Sequence, residues 1–181
     1  MTTNDKKKIT GITVLLLLIA IIPVNAYAQK DMRWNIKASY SSYVSITNGS
    51  AKNIKYPGFR AEANYSITSY LEAGIYAGFL YADFVGSTLH PTYGINVNFH
   101  VLPLIVKDSK LRFDPYVTGK FGGMYLRFPT PVHDSEYGLG VGLAYYIWKN
   151  VGIYAEYSYG KYYHGGKPQR NSFRYGVSFR F

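Results

Sequence analysis

The residues that could do chemistry are few and scattered. His164 is the best catalytic candidate. It stands in KYYHGGKPQRN, where a histidine could serve as base to a hydroxyl nucleophile. Gly165, Gly166 and Lys167 follow it, so no serine stands within its immediate reach in sequence. A solvated loop histidine is the plain reading. His90, His100 and His133 do not have the spacing of a metal site, which needs three or four converging ligands. Asp134 and Glu136 near His133 could hold a cation loosely, but an ordinary polar loop explains them as well. Glu62, Glu72 and Glu156 could supply a general acid and base. The chain has no cysteine, which excludes disulfides, thiolate metal sites, a thiol nucleophile and a lipid-modified cysteine. No catalytic residue, cofactor or metal is assigned on this basis.

What these side chains do depends on the elements that carry them. The chain ends in SFRYGVSFRF. Phe173, Tyr175, Val177, Phe179 and Phe181 share one parity, and Ser172, Arg174, Gly176, Ser178 and Arg180 the other. That period of two predicts a strand with one apolar face. Seven further segments alternate in the same way, near 33–45, 57–67, 70–81, 92–103, 112–126, 136–147 and 151–160. Twenty tyrosines and ten phenylalanines agree with a chain rich in strand. Each segment is close to the ~10 residues with which a tilted strand crosses a bilayer. The connections ITSY at 67–70 and WKNV at 148–151 are tight, and LIVKDSKL at 104–111 is intermediate. Those near 46–56, 82–91, 127–135 and 161–171 read as longer loops. An even strand count puts both termini on the short-turn side.

Charge placement separates the candidate folds. Arg33, Lys37, Arg60, Glu62, Glu72, Arg112, Asp114, Lys120, Glu136, Glu156, Arg174 and Arg180 all fall opposite the apolar stripe. A Lys or Arg facing lipid at mid-depth would cost about 2–4 kcal/mol. A soluble sandwich would also alternate, but its polar parity would face water. Here that parity holds Gly74, Gly78, Gly122, Gly138, Gly140, Gly142, Gly152 and Gly176, with Tyr76, Tyr116, Tyr146 and Tyr154. Bulky inward side chains that need small neighbours belong to the tight interior of an eight-stranded barrel. The expected fold is all-β, an eight-stranded antiparallel transmembrane barrel in up-and-down order. Lys37, Arg60, Glu62, Lys120, Glu156 and Arg174 are expected to form an interior polar network. Lys37, Glu62, Glu156 and Arg174 are placed in one mid-depth belt. Tyr116 and Tyr154 are expected to fill the space above the glycine row 138, 140 and 142.

The start of the chain reads as a secretory signal. Lys6, Lys7 and Lys8 precede the apolar run 9–24, and Ala26-Tyr27-Ala28 supplies a cleavage site. Sixteen residues broken by Gly11 and Pro23 are short of the ~20 that span a bilayer as a helix. Residues 1–28 are thus assigned as signal peptide and 29–181 as the barrel domain. Removing residues 1–28 takes away three of the 20 basic and one of the 10 acidic residues, so the net charge falls from +10 to +8. Dispersed basic residues without a Lys/Arg-rich run argue against nucleic acid. An acidic surface such as lipopolysaccharide phosphate suits the charge better.

These features resemble the small outer-membrane β-barrel family that includes OmpX and the OmpA membrane domain. The carriers are the signal, the eight alternating segments from about Trp34 and the terminal aromatics. The resemblance implies a Gram-negative outer-membrane protein among outer-membrane lipids and lipopolysaccharide, expected to be monomeric. It also implies that the barrel-assembly machinery reads Phe173, Tyr175, Phe179 and Phe181. The expected role is structural or adhesive, with a plugged lumen and loops facing outward. The alternatives are an outer-membrane lipid enzyme and a narrow-pore transporter. Lipid A deacylases of similar architecture carry His-x-Ser-Asn late in the barrel, and His164-Gly165-Gly166-Lys167 departs from that pattern.

Overall fold

The computed structural model describes residues 33–47, 50–82, 88–105, 112–126, 132–162 and 169–181. The signal assignment at 1–28 and His164 lie outside them. Eight strands follow one another: β1 (Trp34–Thr47), β2 (Ser50–Ser66), β3 (Leu71–Ala82), β4 (Thr88–His100), β5 (Phe113–Leu126), β6 (Val132–Tyr146), β7 (Val151–Tyr162) and β8 (Gln169–Arg180). Each pairs antiparallel with the next, and β8 pairs with β1 to close the barrel. Closure leaves no strand edge unpaired, which a bilayer requires because its core offers no water to satisfy backbone groups. Phe181 lies just past β8. Its backbone N–H and C=O nonetheless bond those of Trp34, both at 3.0 Å. The last residue therefore belongs to the seam.

The two tight turns form as expected. Ile67 N–H bonds the Leu71 carbonyl at 2.9 Å, and Trp148 N–H bonds the Val151 carbonyl at 3.1 Å. β4 stops at His100, short of the expected end at 103. Pro103 has no N–H to give a ladder, and Leu102–Ile105 turns into a short helix, α1. At the opposite end the strands run on through segments whose composition suggests loops. β2 begins at Ser50 and β6 at Val132, and β1 and β2 stay paired beyond a register shift between Val44 and Ser45. Antiparallel neighbours supply ladder bonds whatever the side chains are, so pairing overrides the local polar signal. Arg33 and Arg112 lie just outside β1 and β5 and are exposed, not inward.

Side-chain parity divides the wall cleanly. Leu139, Phe59 and Ile75 on the outer face are 71%, 66% and 64% exposed. On the inner face Tyr76, Leu80, Tyr116, Met124, Tyr146 and Tyr154 are buried beside the charged residues. The phenol of Tyr76 occupies the space that a Cβ at Gly94 or Gly122 would need. The Tyr116 ring does the same at Gly142. At Gly138 and Gly140 the neighbour is instead β7 itself, through Gly160 and Ser158. Tyrosine thus fills only part of the glycine row.

Candidate functional site

The strands aim their charges inward because the outward parity faces lipid, so the lumen is where ionisable groups meet. Four of the six expected network residues meet directly. Lys120 on β5 donates to Glu62 Oε1 at 3.2 Å and to Glu156 Oε1 at 2.8 Å. Arg174 on β8 reaches the same two oxygens, at 3.6 Å from Nη1 and 2.9 Å from Nη2. Each cation touches both carboxylates, so two positive and two negative charges close a ring across the lumen. Arg174 Nη2 also donates to Ser158 Oγ at 2.8 Å, and Tyr116 donates its hydroxyl to Glu156 Oε2 at 3.4 Å.

Lys37 and Arg60 stand apart from this ring. The Lys37 ammonium lies 4.2 Å from the centre of the Tyr116 ring and 5.2 Å from that of Tyr154. That is a cation–π setting in place of the expected carboxylate contact. Its place in the ring is taken by Lys120, whose long stem reaches across from β5. Arg60 sits nearer the loop end, 3.7 Å from Glu136 and 4.0 Å over the Tyr76 ring.

A second cluster lies at the short-turn end. His100 Nδ1 is 2.7 Å from Asp114 Oδ1, and its Nε2 is 3.3 Å from Glu72 Oε2. Arg180 bonds Asp114 Oδ2, lies 3.7 Å from Glu72 Oε1 and stacks 4.3 Å over the Tyr146 ring. Asn35 donates to Glu72 Oε2 at 3.3 Å and accepts from Ser178 Oγ at 2.7 Å. Tyr146 Oη lies 3.2 Å from Ser178 Oγ. This floor joins β8 to β1, β3, β5 and β6. Sequence reasoning put these residues on the inward parity but did not group them. The available signal was their position, since Glu72, His100, Asp114 and Arg180 are the inward residues nearest the short-turn ends of their strands.

The chemistry open to these groups is narrow. Glu62 and Glu156 share two cations and are buried, which makes them a cross-brace and not a paired acid and base. Both nitrogens of His100 face carboxylates that Arg180 also contacts. Among the described residues, no group of three or more His, Cys, Asp or Glu is arranged to hold a metal ion. The terminal aromatics Phe173, Tyr175, Phe179 and Phe181 all point outward, 43–62% exposed.

Known proteins match this architecture. The crystal structure of Neisserial surface protein A aligns with a TM-score of 0.59 at 17% identity, covering 82% of this chain and 97% of that one. Ail of Yersinia pestis, solved in complex with the heparin analogue sucrose octasulfate, aligns at 0.53 with 15% identity, over 83% and 99%. The N-terminal barrel domain of Pseudomonas aeruginosa OprF aligns at 0.53 with 14% identity, over 80% and 97%. At such identities the likeness is one of fold. Among curated proteins no sequence matches the chain. The family model of the outer membrane protein beta-barrel domain matches residues 14–181. With eight strands closed around a charged lumen and an apolar outer wall, the chain belongs to the outer-membrane β-barrel domain family.

Proposed function

We propose that residues 29–181, released from a signal peptide at 1–28, form a closed, non-enzymatic barrel in the outer membrane of a Gram-negative bacterium. The barrel is monomeric, and its role is structural or adhesive. The barrel-assembly machinery reads Phe173, Tyr175, Phe179 and Phe181 during insertion. The observation that carries this reading is the Glu62–Lys120–Glu156–Arg174 ring, which braces the lumen from side to side at mid-height. An eight-stranded barrel fills its interior with side chains, and a salt-bridged ring there opposes free diffusion. The loops then carry any binding. The mature charge of +8 suits a polyanion such as lipopolysaccharide phosphate, and the Ail complex with a heparin analogue supports the same reading.

The test is reconstitution into planar bilayers, where little or no steady conductance is expected. Large, stable channels would overturn the closed-barrel reading. Fractionation with N-terminal sequencing tests the location. A soluble periplasmic species, or a start other than Gln29, would contradict it.

A further inference from the structure

His100 is the last residue of β4, and its imidazole is buried between carboxylates from the two neighbouring strands. Nδ1 is in hydrogen-bond geometry 2.7 Å from Asp114 Oδ1 on β5. Nε2 is 3.3 Å from Glu72 Oε2 on β3, an ion contact without the alignment of a hydrogen bond. Arg180, Asn35 and Ser66 also donate to these two carboxyl groups, so both act as acceptors. A neutral imidazole carries a hydrogen on only one nitrogen. Whichever nitrogen kept it, the other would turn a lone pair toward a carboxylate oxygen. The imidazolium, with a hydrogen on each nitrogen, suits both neighbours.

The charge of the lumen gives an independent reason. Among the described side chains the buried carboxylates are Glu62, Glu72, Asp114, Asp134, Glu136 and Glu156, six in all. The inward Lys and Arg residues are five: Lys37, Arg60, Lys120, Arg174 and Arg180. A charged His100 makes six of each, and an uncompensated buried charge is costly. The charged and titratable groups around the imidazole come from five strands. They are Glu72 on β3, Asp114 and Tyr116 on β5, Tyr146 on β6, Arg180 on β8 and Lys37 on β1. Tyr116 packs 5.7 Å from the imidazole, Lys37 lies over the Tyr116 ring and Arg180 over that of Tyr146. Leu102–Ile105 of α1, which follows His100 in the chain, adds no titratable side chain. The Arg180 side chain is partly exposed, so solvent reaches the floor.

We propose that His100 is a protonation latch on the short-turn mouth of the barrel. As imidazolium it ties β3, β4 and β5 together through the carboxylates that Arg180 holds from the closing strand. Hydroxide removes the Nε2 proton, giving water and a neutral imidazole that keeps its Nδ1 bond to Asp114. The Nε2 lone pair then faces Glu72, the floor carries one excess negative charge, and this end of the barrel loosens. Ring-nitrogen NMR of the histidine-labelled, refolded barrel in lipid nanodiscs reads the latch directly. At about pH 8, where a solvated histidine is neutral, His100 should still carry hydrogens on both nitrogens. As the pH is raised until the second hydrogen is lost, the urea unfolding midpoint should fall in step. His100→Gln, which keeps a donor but no charge, should start lower and show no such fall. If that variant does not fold, the coincidence of the two wild-type titrations carries the test. A single ring hydrogen on His100 at about pH 8 would overturn the proposal. So would a midpoint that stays level as the second hydrogen leaves, or an alkaline fall that His100→Gln shares.

Discussion

The mid-lumen ring and the short-turn floor are both built from inward charges, but they are made differently. The ring uses four long side chains, from β2, β5, β7 and β8, and three of its four salt bridges join strands that are not neighbours, while Arg174–Glu156 ties the adjacent β7 and β8. The floor mixes charges with Asn35, Ser178 and Tyr146, and Ser178→Asn35 bridges the β8–β1 seam. Lys120 and Arg174 in the ring are almost wholly buried, whereas the Arg180 side chain in the floor is 13% exposed. Burial decides how far a partner's loss is felt, because water can replace a lost contact only where it can reach. The ring should act as an all-or-none brace, and the floor as a graded tie that holds the closing strand.

The largest effect is expected in the ring. Glu156→Gln or Arg174→Met should each destabilise the folded barrel by about 3–5 kcal/mol, because each leaves the buried ring with one uncompensated charge. The double change should recover part of that loss. A double-mutant cycle by urea unfolding in lipid measures the coupling. Additive single effects would show that water screens the ring.

A smaller loss is expected in the floor. Arg180→Met removes charge-assisted contacts to Asp114 and Glu72, which should cost about 2 kcal/mol. The same urea titration would break the comparison if Arg180→Met proved as damaging as Arg174→Met.

The smallest equilibrium effect is expected at the outer edge of the seam. Phe181→Asp puts a charge near the interface, where even Lys or Arg costs only ~0–1 kcal/mol. Its membrane insertion, followed by heat-modifiable migration over time, should nevertheless slow markedly. A variant that inserts at the normal rate would remove Phe181 from the assembly signal.

Much of this architecture was legible in the residues. Charges confined to one parity, with glycines between tyrosines, pointed to a closed barrel with an ionic interior. Strand ends were less legible at the loop end. The stretch 46–56 is polar and carries glycine, yet the ladder persists to Thr47 and resumes at Ser50, because hydrogen bonds come from the neighbouring strand. At the other end Pro103 was a readable stop that the alternation masked.

The sequence by itself determined which face each residue takes, since a strand's period of two leaves no choice once one face must meet lipid. It also determined that the terminal phenylalanine would join the apolar stripe. Only the tertiary structure decided which inward charges touch. Parity gives a side chain its direction but not its height or its reach across the lumen. Strand tilt and register bring Lys120 from β5 to Glu62 and Glu156 on β2 and β7. The same geometry leaves Lys37, which neighbours Glu62 in the β1–β2 register, over the faces of two tyrosines.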